Sequence, residues 1–271
     1  MATNILREKL KADEPTLCTH VHNIWPSMAE IIGHSGLFDY IEFEAEYAPF
    51  GLFELENFCR AVELHGMSAM IKIDQEPRRF LAQRSIGAGF HSVLFADVRT
   101  VDDAKECVGS TRAEVSESAG THGVATRRAF WMARGGSLSY GGSPEFVQAL
   151  DDIVVAFMVE KKPAVDHLEE ILSVPGVDIV QWGPYDYGMS IGRPGAAAAG
   201  DAQIKAVERQ VIETCLRLGI VPRAEIDTPE EAKYYMDLGV RHFAIGTDTD
   251  VYFDWLRRTG ETMRSAMSAD L

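Results

Sequence analysis

The sequence predicts an α/β fold, a single (β/α)8 TIM barrel, and three observations point there. Eight short apolar runs, rich in β-branched or aromatic residues, alternate with eight longer stretches of helical spacing. The alternation fills about 250 residues, the usual size of such a barrel. No internal repeat or linker interrupts it, so residues 1–271 read as one domain.

The strand runs come in order at 16–22 (TLCTHVH), 38–45 (FDYIEFEA), 68–73 (SAMIKI) and 92–97 (SVLFAD). They continue at 153–160 (IVVAFMVE), 177–183 (VDIVQWG), 220–225 (IVPRAE) and 242–247 (HFAIGT). Near-continuous apolar runs are what parallel strands covered on both faces require. Helical spacing occupies 27–34, 52–65, 77–86, 100–115, 164–173, 202–218, 228–238 and 250–268. Thr228-Pro229-Glu230-Glu231 sets an N-cap threonine before a proline and two acids, and Thr100 does the same before Asp102 and Asp103. Gly66, Gly176, Gly219 and Gly239 fall at helix ends or just before strands. The stretch 116–145 is too long for an ordinary connection. It reads as an excursion after the fourth strand that helps cover the barrel mouth.

Composition narrows the function classes. Of 271 residues, 41 are acidic and 26 basic, a net charge of −15. That balance argues against nucleic acid and anionic membranes as partners, while leaving an anionic small substrate open. No apolar run reaches the ~18–20 residues of a membrane helix. The N-terminal MATNILREKLKADEP carries charges where a signal peptide needs an apolar core, so a cytoplasmic location is expected. Cys18, Cys59, Cys107 and Cys215 are far apart and read as reduced core thiols. No cysteine stands beside a candidate base and no GxGxxG follows a strand, so neither a cysteine nucleophile nor a dinucleotide site is indicated.

Chemistry in a barrel of this kind collects at the C-terminal strand ends. There the chain places His20 and His22, then Glu42, Glu44, Glu46 and Tyr47, then Lys72 and Asp74, then Asp97. Later ends carry Glu160 and Lys161, the Gly183-Pro184-Tyr185-Asp186 segment, Arg223 and Glu225, and Thr247 and Asp248. Glu160 and Asp186, on adjacent strands, suit a hard cation such as Mg²⁺ or Mn²⁺, which takes oxygen ligands. By spacing alone they read equally well as solvated acids at helix starts. His20-x-His22 resembles the opening of zinc hydrolase barrels, but no later strand end supplies matching histidines. That pair is read as lining the pocket or packing. The strand-two glutamates repel one another unless a cation or hydrogen bonds intervene. The bland alternative points some of them outward, between barrel and helices.

Several segments carry a family resemblance. LFDYIEFEAEYAPF (37–50) is similar to the strand-two signature of HpcH/HpaI aldolases. VVAFMVEKKPAVDHLEEILSVPGVDIVQWGPYDYGMSIGRPG (154–195) resembles the family's long signature, in which an acid ends strand five and GP-x-D follows strand six. HFAIGTDT (242–249) and HGVATRR (122–128) resemble its eighth strand and a family loop. The likeness spans roughly 16–258. It implies a metal-dependent lyase acting beside a 2-oxo acid, with a pyruvate enolate as intermediate. It also implies a homo-oligomer, trimer or hexamer, with active sites near subunit contacts. Glu160 and Asp186 carry over as ligands of Mg²⁺ or Mn²⁺. Glu44, Gly183, Pro184, Tyr185 and Arg127 are expected to contact substrate.

The departures define the expected mechanism. The family's histidine after strand two falls on Tyr47, its strand-three arginine on Lys72, and its glutamine before the strand-five acid on Met158. The aspartate that pairs with the histidine falls on Ser85 or Gly87. The His–Asp proton relay is therefore absent. Lys72 is expected to stabilise the enolate oxygen without a guanidinium fork. Tyr47, a poor base at its ordinary pKa, is expected to serve proton transfer or substrate positioning, either as a base lowered by Lys72 or the metal or as an acid that protonates the enolate, with His20 or His22 replacing the lost histidine. A 2-oxo diacid decarboxylase (oxaloacetate-like) is the nearest alternative, because decarboxylation needs no base. A metal- and carboxylate-binding barrel without turnover is the alternative from another class.

Overall fold

A computed structural model describes residues 3–116, 118–124 and 141–269 of the chain. The strands are β1 (Thr16–Val21), β2 (Tyr40–Glu44), β3 (Ser68–Ile73), β4 (Ser92–Phe95), β5 (Val154–Val159), β6 (Ile179–Trp182), β7 (Val221–Ile226) and β8 (His242–Thr247). Each pairs in parallel with the next, and β8 pairs with β1 to close the barrel. Each predicted strand run matches one of them to within two residues at either end.

The helices are α1 (Ile5–Lys11), α2 (Pro26–Ser35), α3 (Leu52–Leu64), α4 (Arg78–Ala88), α5 (Val101–Thr111) and α6 (Pro144–Asp151). Then come α7 (Lys162–Asp166), α8 (Leu168–Leu172), α9 (Pro184–Ser190), α10 (Ala202–Leu218), α11 (Ala232–Asp237) and α12 (Asp248–Ala269). The helix predicted over 164–173 is two short ones, α7 and α8, broken at His167. Helices α1, α6 and α9 were not expected. Each has only seven or eight residues, too few turns for a 3.6-residue pattern to emerge. Most of the 116–145 excursion, with Arg127, lies outside the described residues. Its near part folds back on α5, through a bridge between Ala113 and His122.

Period-two alternation sorts the strand residues into two cores. Ile41, Phe43, Ile71, Phe95 and Phe157 point outward against Leu55, Phe58, Val62 and Ile86 of the helices. Cys18, Tyr40, Met70, Leu94, Ala156, Ile179 and Ala244 fill the lumen. Leu6, fully buried, joins that inner set from α1. The α1 helix plugs the N-terminal end of the barrel. Asn4 caps it and donates to the His91 and Asp152 carbonyls at 3.0 and 2.8 Å. Arg7 forks onto Asp178 at 2.6 and 2.7 Å. A sealed floor leaves the C-terminal mouth as the open end.

The outer ring is incomplete on one side. Outward residues of β2 through β6 are buried, but Leu17, Thr19, Phe243 and Ile245 on β1 and β8 are only half-covered. Helix α12 leaves Tyr252, Phe253, Trp255, Leu256, Met263 and Met267 exposed along its 22 residues. Among the described residues no helix is long and apolar enough to cross a membrane. All four cysteines are buried and free.

Candidate active site

A cavity of about 490 Å³ opens at the C-terminal strand ends and spreads toward α10 and α11. Its floor is a charged layer inside the lumen. Register sets His20 beside Glu42 and Gln181 beside Arg223. Arg223 Nη1 lies 2.5 Å from Glu42 Oε2, and both side chains are fully buried. Arg223 also donates from Nε to Gln181 Oε1 at 2.6 Å and from Nη1 to the Tyr40 hydroxyl at 3.3 Å. Burial works against the Glu42 charge, but Arg223 and His20 outweigh it and hold this carboxyl below its usual range. Thus Glu42 does not point outward between barrel and helices. Its counter-cation comes from across the lumen.

His20 belongs to that floor. It is 1% exposed, with its ring nitrogens 3.7 Å from Glu42 and 3.6 Å from Glu225, and it does not line the cavity. Cys18, His20 and Glu42 bring possible ligand atoms within 4.8 Å of one another. The Arg223 guanidinium already neutralises Glu42 there, and burial keeps the Cys18 thiol well above its ordinary pKa, so the trio is a poor cation site.

One layer higher the side chains meet open space. Lys72, beside Glu44 in register, donates from Nζ to the Tyr47 hydroxyl at 2.8 Å and lies 3.0 Å from Glu46. Burial opposes the ammonium charge, but Tyr47 and the glutamates outweigh it and hold Lys72 above its usual range. Partial burial pushes the Tyr47 hydroxyl up to about 12, despite Lys72. The lowering that a base would need does not occur, and Tyr47 stays protonated at neutral pH, which agrees with the acid alternative. His22 Nε2 lies 2.7 Å from Glu44 Oε2. The His22 backbone N–H donates to Asp248 at 2.9 Å, and Nδ1 meets the Thr249 hydroxyl at 3.1 Å. Burial and neighbouring Glu42 push Glu44 up to about 8. The start of α12 thus holds His22 in the cavity while His20 is walled off below.

Across the mouth stand the two carboxylates of adjacent strands, both lining the cavity. Glu160 is 4% exposed. Its Oε1 accepts the Asp97 N–H at 2.8 Å, and burial raises its pKa to about 7. A Cβ on Gly183 would fall 2.5 Å from Glu160 Cβ and 2.7 Å from Oε2, so the glycine leaves the space this carboxylate occupies. Asp186, in the first turn of α9, meets Lys161 Nζ at 2.5 Å. The donor set fits a hard divalent cation: two carboxylates on one wall, one of them buried and short of charge compensation. Tyr185 lines the same mouth and is exposed.

The far wall is acidic. Glu225, Asp227, Glu231 and Asp250 line it. Burial together with Glu231, Glu225 and Asp250 raises the Asp227 pKa. Sequence reasoning noted Asp97, Lys161, Arg223 and Glu225 as strand ends but gave them no role. It passed over Gln181, a lone amide in an apolar strand and the one available signal for the floor.

The sequence profile of the HpcH/HpaI aldolase/citrate lyase family matches residues 19–254. The chain belongs to that family. A relative named 2-keto-3-deoxy-L-rhamnonate aldolase, from Escherichia coli O157:H7, is 28% identical over 260 residues, covering 94% of this chain and 91% of that protein. An HpcH/HpaI aldolase/citrate lyase family protein from Burkholderia cenocepacia J2315 superposes with a TM-score of 0.82 at 26% identity, covering 97% of this chain and all of the other. An HpcH/HpaI aldolase from Desulfitobacterium hafniense DCB-2 gives 0.85 at 20% identity, with 97% of each chain covered. HpcH/HpaI membership makes this chain a lyase of the aldolase type.

Proposed function

We propose that the protein is a divalent-metal-dependent aldolase that cleaves a hydroxylated 2-oxo acid to pyruvate and an aldehyde, or runs the reverse addition. The carrying observation is the convergence of Glu160, Asp186, Lys72, Tyr47 and the His22–Glu44 pair on one cavity. Glu160 and Asp186 would hold Mg²⁺ or Mn²⁺. When bound, the cation supplies Lewis-acid polarisation of the 2-oxo group and charge for the developing enolate. Gly183, Pro184 and Tyr185 would border the pyruvate end of the substrate.

The chain's own residues divide the proton work. Cleavage begins with loss of the proton on the 4-hydroxyl. His22 lines the cavity with Nε2 held 2.7 Å from Glu44, so its Nδ1, on exchanging the Thr249 hydroxyl for that of the substrate, takes that proton as the general base. The electrons of the C3–C4 bond pass to C3, and the aldehyde leaves. Lys72 holds a fixed positive charge beside the enolate. Tyr47, protonated at neutral pH, is a donor rather than a base, and it returns a proton to C3. The acidic far wall supports an aldol substrate over a diacid: Glu225, Asp227, Glu231 and Asp250 accept hydrogen bonds from hydroxyls and repel a second carboxylate.

The same reading makes the active unit a homo-oligomer. The half-covered outer faces of β1 and β8 and the apolar length of α12 are where a second copy would pack. The test of function is proton NMR of pyruvate in D₂O. Methyl exchange that needs Mg²⁺ or Mn²⁺ and vanishes in Glu160→Gln is expected. Exchange unaffected by chelation would overturn the proposal.

A further inference from the structure

Resting on the metal reading of Glu160 and Asp186, the neighbouring Lys161 has a role of its own. Asp97, which ends the β4 run, has a φ of 57°, in the left-handed region that few residues other than glycine, asparagine or aspartate adopt. That turn aims its backbone N–H at Glu160 Oε1, 2.8 Å away. It also sets its carboxylate against Lys161, with Nζ 2.9 Å from Asp97 Oδ1. The same ammonium reaches Asp186 Oδ1 at 2.5 Å. Arg99 takes the other Asp97 oxygen at 3.3 Å. One aspartate therefore ties both candidate metal carboxylates together, Glu160 through its backbone and Asp186 through Lys161.

We propose that Lys161 is a resident counter-ion, an internal competitor that occupies Asp186 until a divalent cation displaces it. A dication on Asp186 would share one carboxylate with the ammonium, and two like charges a few ångström apart in a half-buried site repel strongly. The ammonium has somewhere to go. Asp97 keeps a second seat for it, and a cavity of about 320 Å³ lined by Arg99, Pro163, Met189 and Ser190 adjoins Lys161 and Asp186. The arrangement keeps Asp97 and Asp186 compensated while the site holds no metal. It also sets the concentration of divalent ion at which loading occurs.

A pure positioning role for Lys161 predicts the opposite sign, because losing a partner that orients a ligand weakens metal binding, typically 10–100-fold. The experiment is isothermal titration of the full-length protein with Mn²⁺, alongside thermal melts with and without it. Lys161→Gln and Lys161→Met remove the charge, Lys161→Arg keeps it, and Glu160→Gln is the control for the site. Either neutral variant that folds should bind Mn²⁺ about 10-fold tighter than wild type or better. It should also melt lower without metal and gain more on its addition, and Lys161→Arg should track wild type. Neutral variants that bind equally or more weakly overturn the counter-ion role while leaving the metal site standing. No saturable Mn²⁺ binding by wild type, or binding that survives Glu160→Gln, overturns the metal reading and this inference with it.

Discussion

His20 lies in β1 and His22 one residue past its end, two positions apart, yet only one reaches the cavity. His20 is locked between Glu42 and Glu225, and His22 faces Glu44 at the mouth. Replacing His22 with Asn should lower kcat for aldol cleavage about 100-fold or more, the usual weight of a positioned acid–base group, with the melting temperature little changed. His20→Asn should cost stability and only a few-fold in kcat. Steady-state kinetics on both variants checks the assignment, and equal losses would refute it. Glu44 carries a pH signature. Its folded pKa, near 8, lies above its ordinary 4.5, so the native state holds a proton that the unfolded chain releases. Stability from this group is therefore full below pH 4.5 and lost as pH rises toward 8. Metal-free Glu44→Gln should lose less melting temperature than wild type between pH 5 and 8, and scanning calorimetry at the two pH values reads the difference.

Among the elements, β2 and β7 are joined by charge rather than by apolar packing. The lumen of such a barrel is ordinarily filled by Val, Ile and Leu. Here the Glu42–Arg223 pair crosses it, with Gln181 satisfying the guanidinium and bonding Glu225 at 2.6 Å. Arg223→Leu strands a buried carboxylate and should cost about 3–5 kcal/mol of unfolding free energy. The double variant with Glu42→Leu should recover much of that, since the uncompensated charge goes with it. Urea denaturation of the three proteins tests the coupling. The floor also explains the glutamate file that looked self-repelling in the sequence. Glu42 has Arg223 and Glu46 has Lys72, whereas Glu44 meets a histidine, and burial with neighbouring Glu42 raises its pKa. Which glutamate faced what was not legible from β2 alone, because Arg223 is 181 positions along the chain from Glu42.

For the whole molecule, the gap in the outer ring and the bare α12 point to assembly. A chain that left seven large apolar side chains of one helix in water, Val251 among them, would be prone to association. Light scattering after gel filtration should give a homo-oligomer for wild type. Trp255→Glu with Leu256→Glu should shift it to smaller species. A wild-type monomer would refute the placement of the contact. The net charge of −15 sits partly on the cavity's far wall, in Glu225, Asp227, Glu231 and Asp250.

The order of eight strands and their helices was legible from periodicity alone, since burial on two faces writes itself into each run of apolar residues. So was the set of polar strand ends, because a barrel exposes that edge and nothing else compels Glu160, Asp186, Lys72 and His22 to be there. Short helices such as α1 and α9 were not legible, being held by long-range contacts like Arg7–Asp178 rather than by local pattern. Nor could the sequence choose between His20 and His22, lower or raise the Tyr47 pKa, or pair Lys161 with Asp97 and Asp186. Those outcomes depend on distances across the lumen and between loops, and on how much water each group keeps. Only closing the barrel decides either.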